Sequence, residues 1–257
     1  MARAVAGARA EGLFRWFSYG VAHSPPLHWS AAVASRNSDV WLFYLDRQAL
    51  MPRTHVLDGL EGALDVDRMG LAPEGSTLAV AEASPALFRQ HDDRLRLANV
   101  RWVLSFHPLP EDLVSLRDEI RFGEVREALL LYELRDPLPR TFFVPSLDDA
   151  PPGGWGRAGE TAGSRVAYER VDPHTVVLKA MTPPGFLVVL DGHHPDWKAE
   201  DRSGPVPLQV AFGRYQAIPT RGGDAVVTLR YRPAWRAPAL FLLAIGGLAV
   251  LVLVFRR

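Results

Sequence analysis

From residue 165 onward apolar and polar side chains alternate with a period of two, and no other feature restricts the fold of this chain so tightly. The runs are "RVAYERV", "TVVLKAM", "GFLVVLD", "PVPLQVAF", "RYQAIPT" and "DAVVTLRYRP", each bounded by turn residues. A backbone whose successive side chains leave on opposite sides buries one face only as a strand. In the last run Ala225, Val227, Leu229 and Tyr231 share a face, and Val226, Thr228 and Arg230 share the other. Val206, Leu208, Val210 and Phe212 alternate in the same way. About six strands at this spacing predict an antiparallel β-sandwich over residues 165–234, with Gly222 and Gly223 making one tight turn.

Upstream the pattern is mixed, which predicts an α/β domain over residues 1–145. In "NSDVWLFYLDRQAL", Asn37, Ser38 and Asp39 are N-cap candidates for a buried helix. "SPALFRQHDDRLRLANV" predicts a second helix, capped by Ser84 with Pro85 at its first position, and with Leu87, Phe88, His91 and Leu95 on one face. A third helix is expected in "PEDLVSLRDEIRF", where Leu113, Leu116 and Ile120 fall together, acids lead and arginines trail. "VRWVLSF", "ALLLYEL" and "RTFFVPS" read as strands. Residues 146–164, rich in Gly, Pro and small polar side chains, form a linker. The expected fold class is therefore α+β, a mixed layer followed by a sandwich and one carboxy-terminal transmembrane helix.

That last element comes from "APALFLLAIGGLAVLVLVF", residues 237–255, which has no charged side chain. About 18 or 19 helical residues at 1.5 Å each reach roughly 27 Å, close to the hydrocarbon thickness of a bilayer. Trp235 and Arg236 before the stretch, and Arg256 and Arg257 after it, are placed as membrane-interface residues, so a lipid bilayer is the first expected partner. Arginines flank both ends, so the positive-inside bias does not set the orientation. The amino terminus carries no apolar run of the length a signal peptide needs. The bulk of the chain is then tail-anchored in the cytosol, or reaches the outside by another route or behind earlier spans of a longer protein. Lys plus Arg number 29 and Asp plus Glu 29, so no net charge draws the chain to nucleic acid. The chain has no cysteine, which removes disulfides and thiolate chemistry.

The most conspicuous polar cluster is "DGHHPDW". His193 and His194 are adjacent at the end of a predicted strand, where neighbouring side chains diverge, so they do not converge on one metal. Asp191 and Asp196 are the acids that turns use to bond backbone amides. The cluster reads as a solvated turn, with Trp197 just beyond it placed to cap the open end of the sandwich. His91, Asp92 and Asp93 lie on a helix and face solvent in this reading. Neither a G-x-S-x-G elbow nor a P-loop occurs. No catalytic, cofactor-binding or metal-ligating residue is assigned.

Several of these segments, in this order, resemble the carboxy-terminal portion of bacterial YfhO-type membrane proteins. Asn99, Val100, Arg101, Trp102 and Val103 match one family strand, and Tyr132, Glu133, Leu138, Pro139, Arg140 and Phe142 match a strand pair. Pro195, Trp197, Lys198 and Ala199 match a family turn, with Asp196 where glycine is usual, and Tyr231, Arg232 and Pro233 match the closing strand. The resemblance covers roughly residue 95 to the end. It implies the extracytoplasmic domain and last span of a multi-pass envelope protein that moves sugar from a lipid carrier onto cell-envelope polymers or lipids. The catalytic membrane module would then lie outside this chain, as a separately encoded partner, with an envelope glycan or lipid-linked sugar as ligand. The implied location is the bacterial membrane, with most of the chain extracytoplasmic. The alternatives are a membrane-anchored module that binds glycans or other partners without chemistry, and a truncated remnant.

Overall fold

The computed structural model describes residues 14–19, 61–62, 84–121, 127–148 and 166–234. The chain divides into two compact units, with the boundary between Arg140 and Thr141.

In the first unit, β1 (Arg15–Ser18) runs parallel to β2 (Glu61–Gly62) and to β3 (Val100–Ser105). β3 pairs antiparallel with β5 (Leu129–Leu134), which pairs antiparallel with β4 (Val114–Ile120). The sheet order is β2-β1-β3-β5-β4. Two short helices precede β3: α1 (Pro85–Gln90) and α2 (Asp92–Leu97). Ser84 caps α1 as the sequence predicts, its hydroxyl accepting the Leu87 N–H at 3.2 Å, and Pro85 opens the helix without losing a bonded amide. The single long helix expected here is broken at His91, whose backbone (φ −104°, ψ 1°) leaves the helical range. Phe88 and Leu95 nonetheless bury together with Tyr19, Val100, Val103, Tyr132 and Leu134 in one apolar core. Each such side chain contributes roughly 1.5–3 kcal/mol on leaving water. Arg96 is itself buried: it pairs with Asp92 at 2.9 Å and donates to the carbonyls of Arg135 and Asp136, which ties α2 to the loop after β5.

The helix expected at "PEDLVSLRDEIRF" is strand β4 instead. Leu116, assigned to a buried helical face, is 54% exposed. β4 is an edge strand with a register shift between Leu116 and Asp118. An irregular strand that buries little has no clean period of two, so the helical spacing of its apolar residues is incidental.

The second unit is one seven-stranded sheet. Its frame is a hairpin of two long strands, β8 (Thr175–Gly192) and β12 (Tyr215–Tyr231), paired antiparallel from Thr175↔Arg230 to Gly192↔Tyr215. β6 (Thr141–Val144) pairs with β8 at the Phe186–Val189 end, and β7 (Val166–Asp172) with β8 at the Thr175–Ala180 end. β9 (Trp197–Asp201) joins β12 at Thr228–Tyr231 and carries β10 (Gly204–Val206), while β11 (Gln209–Ala211) joins the opposite end of β12. Leu178, Ala180, Val227 and Leu229 from one end of the hairpin share a core with Leu187, Val189 and Ile218 from the other. The hairpin is therefore folded over on itself, and its two arms face each other. The Tyr168 hydroxyl on β7 reaches Asp191 at the far end of β8 (3.1 Å), a contact that only this folding allows.

The bend has a sequence cause. Pro183 and Pro184 have no N–H to give to the ladder, and on the partner strand Gly222 (φ +89°), which lies against both prolines, and Gly223 (φ +83°), paired with Thr182, adopt a backbone that other residues avoid. Gly185 lies where a side chain would collide with its neighbour: a Cβ there would stand 2.5 Å from the Phe143 ring and 2.7 Å from the Val144 carbonyl.

These findings correct the expected fold class. Among the described residues 59% are strand and 9% helix, so the described part of the chain is mainly β rather than α+β. Two pairs of predicted strands merge into β8 and β12, and Gly222-Gly223 is the bend of one continuous strand, not a hairpin turn. The separate stacked sheets of the expected sandwich are replaced by a single folded sheet. Val210 is 49% exposed while Ala211 is buried, so the alternation read through "PVPLQVAF" shifts by one between β10 and β11. Among the described residues no helix is long and apolar enough to cross a membrane. The stretch expected to form a transmembrane helix, residues 237–255, and the helix expected at "NSDVWLFYLDRQAL" lie outside the described residues.

Candidate functional site

The residues singled out in the sequence fall into two groups, one in each unit. In the first unit, Asn99 follows α2 in the left-handed region (φ +59°), which Asn tolerates better than most side chains. It is fully buried, its N–H returns to the Arg96 carbonyl at 2.8 Å, and its Nδ2 donates to the Leu138 carbonyl at 2.8 Å. Asn99 thus turns the chain from α2 into β3 and pins the segment after β5. Arg101 on β3 and Arg117 on β4 reach across to Glu133 on β5 between them, Nε to Oε1 at 2.7 Å and Nε to Oε2 at 2.6 Å. Burial pushes the Glu133 carboxyl up, but the two guanidiniums outweigh it and hold the group below the usual glutamate range. The Arg101 guanidinium also lies 5.0 Å from the Phe14 ring centre. Tyr132 is buried, its hydroxyl accepts the Leu109 N–H at 3.4 Å, and burial raises its pKa. Arg140 is buried as well. This group knits strands together, with Glu133 shared by two arginines.

The second group surrounds a cleft. The turn after β8 is closed by the Trp197 N–H on the His194 carbonyl (3.0 Å) and by the Asp196 N–H on His194 Nδ1 (3.2 Å). Asp196 also clasps the segment that leaves β12: its carbonyl accepts the Arg232 N–H at 2.8 Å and its carboxylate the Ala234 N–H at 3.3 Å. The Asp196 carboxylate therefore ties in a segment 38 positions away instead of bonding the nearby turn amides that the sequence suggests. Asp191 is no turn acid either, because its carboxylate is buried and bonded to Tyr168 and Arg170. The two histidines part. His194 packs edge-on against Tyr231, with ring centres 5.5 Å apart, while His193 lines the cleft.

Tyr231 is the hub of the aromatic group. His174 stacks on it at 6.0 Å, and Trp197, opposite it in the β9–β12 register, leans on it at 5.4 Å. Trp197 also packs against the core of the folded sheet and is half-buried. Its remaining surface faces a cleft of about 600 Å³, whose apolar wall is made by Pro195, Val206, Pro207 and Leu208. The polar wall is Lys198, Glu200 and Arg232. Glu200 stands between two guanidiniums, Arg232 at 3.2 Å and Arg230 at 3.7 Å, and the Lys198 ammonium donates to the Pro195 carbonyl at 2.9 Å. An aromatic edge, an apolar wall and a row of donors and acceptors on a half-open surface suit a ligand with both C–H faces and hydroxyls.

Pro195 and Trp197 are thus brought to one cleft, with Tyr231 behind Trp197 and the half-buried Pro233 just past Arg232 on the clasped segment. Trp235, Arg236, Arg256 and Arg257 lie outside the described residues. Sequence reasoning missed the charged wall, because Glu200 and its arginines are 30 and 32 positions apart and meet only through the β9–β12 register. The one local signal was alternation: Lys198 and Glu200 fall on the face opposite Ala199. Comparison of the chain with protein-family models, with curated proteins and with solved structures finds no match.

Proposed function

We propose that this chain is a carbohydrate-binding accessory domain of the bacterial cell envelope, working beside a membrane module that transfers sugar from a lipid carrier. The Trp197 cleft carries the proposal: a half-buried indole, two prolines and the charged side chains of Lys198, Glu200 and Arg232 line one cleft. Pyranose rings offer apolar C–H faces to such an indole and hydroxyls to such side chains. The envelope setting is supported by the YfhO-type motifs, which supply Pro195, Trp197 and Lys198 to this cleft. The uncharged stretch at 237–255, close in sequence to the clasped segment after β12, supports a position near lipid.

Co-sedimentation of the full chain with purified, insoluble envelope polysaccharide tests the reading. The protein is expected in the pellet, and Trp197→Ala, checked for folding by far-UV circular dichroism, is expected in the supernatant. Equal partition of the two folded proteins would remove the cleft from any such role.

A further inference from the structure

We infer that the Trp197 cleft prefers an acidic glycan, one whose sugars carry a carboxylate or phosphate oxyanion, an inference that rests on the carbohydrate-binding reading above. The chain as a whole has no net charge, so any attraction for an anion must come from a local surplus of cations. The cleft has such a surplus. Lys198 and Arg232 line it, Glu200 is the one carboxylate of its described lining, and Arg230 stands beside them on the Glu200 carboxylate. His193, also in the lining, adds no negative charge.

The β9–β12 register puts cation against cation. Lys198 is paired directly with Arg230, while Glu200 is paired with the uncharged Thr228. Like charges directly opposite each other destabilise a sheet, and an anion lodged beside them relieves that repulsion. Glu200 relieves it only in part. It is shared between Arg232 at 3.2 Å and Arg230 at 3.7 Å, both longer than the roughly 2.7–2.9 Å of a strong charge-assisted bond. All three side chains are well exposed to solvent, so neither pair holds its arginine firmly. Lys198 has no carboxylate partner among the described residues, and its ammonium donates only to the Pro195 carbonyl, at 2.9 Å. Arg232 has one side-chain hydrogen bond among them, from Nη2 to Glu200. The remaining donors of both groups are open to a ligand. An oxyanion accepts from an ammonium and from a planar guanidinium fork together, and neutralises charge that a hydroxyl leaves in place. Trp197 and Leu208 line the same cleft and give the sugar ring its apolar contact.

Isothermal titration of the full chain at neutral pH compares maltohexaose with its 6-phosphorylated form and cellohexaose with hexagalacturonate, with hexaglutamate as an anion that carries no sugar. At least one acidic sugar hexamer is expected to bind about tenfold more tightly than the neutral hexamers and hexaglutamate, an advantage that shrinks as salt is raised. Which acidic hexamer binds tells carboxylate from phosphate. Lys198→Gln and Arg232→Gln, checked for folding by far-UV circular dichroism, are each expected to remove much of the advantage. Glu200→Gln is expected to tighten acidic binding several-fold, because it removes the competing carboxylate. Arg202→Gln, which loses only an exposed pair with Asp224 outside the cleft lining, is expected to change nothing. Neutral hexamers that bind as tightly as acidic ones, or acidic binding untouched by both Lys198→Gln and Arg232→Gln, would overturn the inference and leave the site a carbohydrate site. Equal binding of hexaglutamate would overturn it as well, since charge alone would then suffice. If no hexamer binds while Trp197-dependent co-sedimentation with envelope polysaccharide persists, the inference falls and the wider reading stands. If neither assay detects binding by folded protein, both fall.

Discussion

A carboxylate held between two guanidiniums does most for a fold where water is partly excluded, and Glu133 is in that position. Its side chain is 13% exposed, while Arg117 is 55% exposed and Arg101 lies between these extremes. Solvent at Arg117 screens that half of the arrangement, so the contribution is well short of a fully buried triad. Desolvation raises the carboxyl and the arginines lower it further, so the folded group ionises below its ordinary value of 4.5. A depressed folded-state pKa gives stability that is complete above the unfolded value and disappears as pH falls through the folded one. Urea unfolding followed between pH 7 and pH 3 is expected to show this loss beginning near pH 4.5. Glu133→Gln should lower stability at pH 7 by about 1–2 kcal/mol, through weakened charge-assisted hydrogen bonds. The variant should also have a flatter acid limb. An unchanged acid limb in Glu133→Gln would show that other carboxylates govern it.

At the scale of elements, the bend in the β8–β12 hairpin determines whether the second unit has a core at all. Straight strands of this length would leave the Leu178 and Leu187 regions apart, with one apolar face in water. Gly185→Ala tests how tightly the bend is packed, since the new Cβ meets both the Phe143 ring and the rigid Val144 carbonyl. Overpacking against a carbonyl that cannot move aside is expected to cost about 2–3 kcal/mol. Gly213→Ala is the control, because Gly213 (φ +73°) has open space around it and only the backbone conformation resists, at roughly 1–2 kcal/mol. Thermal melts of the two variants should rank them in that order.

The same bend marks where the sequence stops being legible. Alternation disclosed nearly every strand of the second unit, because burial on one face writes itself into local sequence. It could not disclose that "TVVLKAM" and "GFLVVLD" are one strand, since Pro183, Pro184 and Gly185 also spell a turn. Ser84 and Pro85 announced α1 because capping is a local bond, whereas β4 misled because its pairing with β5 lies beyond any local window. The cleft was half legible. Trp197 and the turn were visible, but the Glu200 wall exists only once β9 is laid against β12.

For the whole molecule, the separation of the two cores carries a consequence for how the chain opens. Leu95 belongs to the core formed by α1, α2 and the first sheet, and Leu178 to the core inside the folded hairpin. No strand is shared between the two sheets among the described residues. Leu178→Ala leaves a void in a buried site and is expected to cost about 2–5 kcal/mol. Because contacts within a unit fail together, that loss should appear as faster amide exchange along β8 and β12. Exchange in β3 and β5 should stay at wild-type rates. Leu95→Ala should do the reverse, speeding β3 and β5 while β8 and β12 hold their protection. Peptide-resolved hydrogen–deuterium exchange of both variants provides the check. Parallel acceleration of all four strands in either variant would mean that the units unfold as one cooperative body, so damage in the first sheet would open the Trp197 cleft as well. Independent exchange would mean that the cleft keeps its shape while the first unit opens.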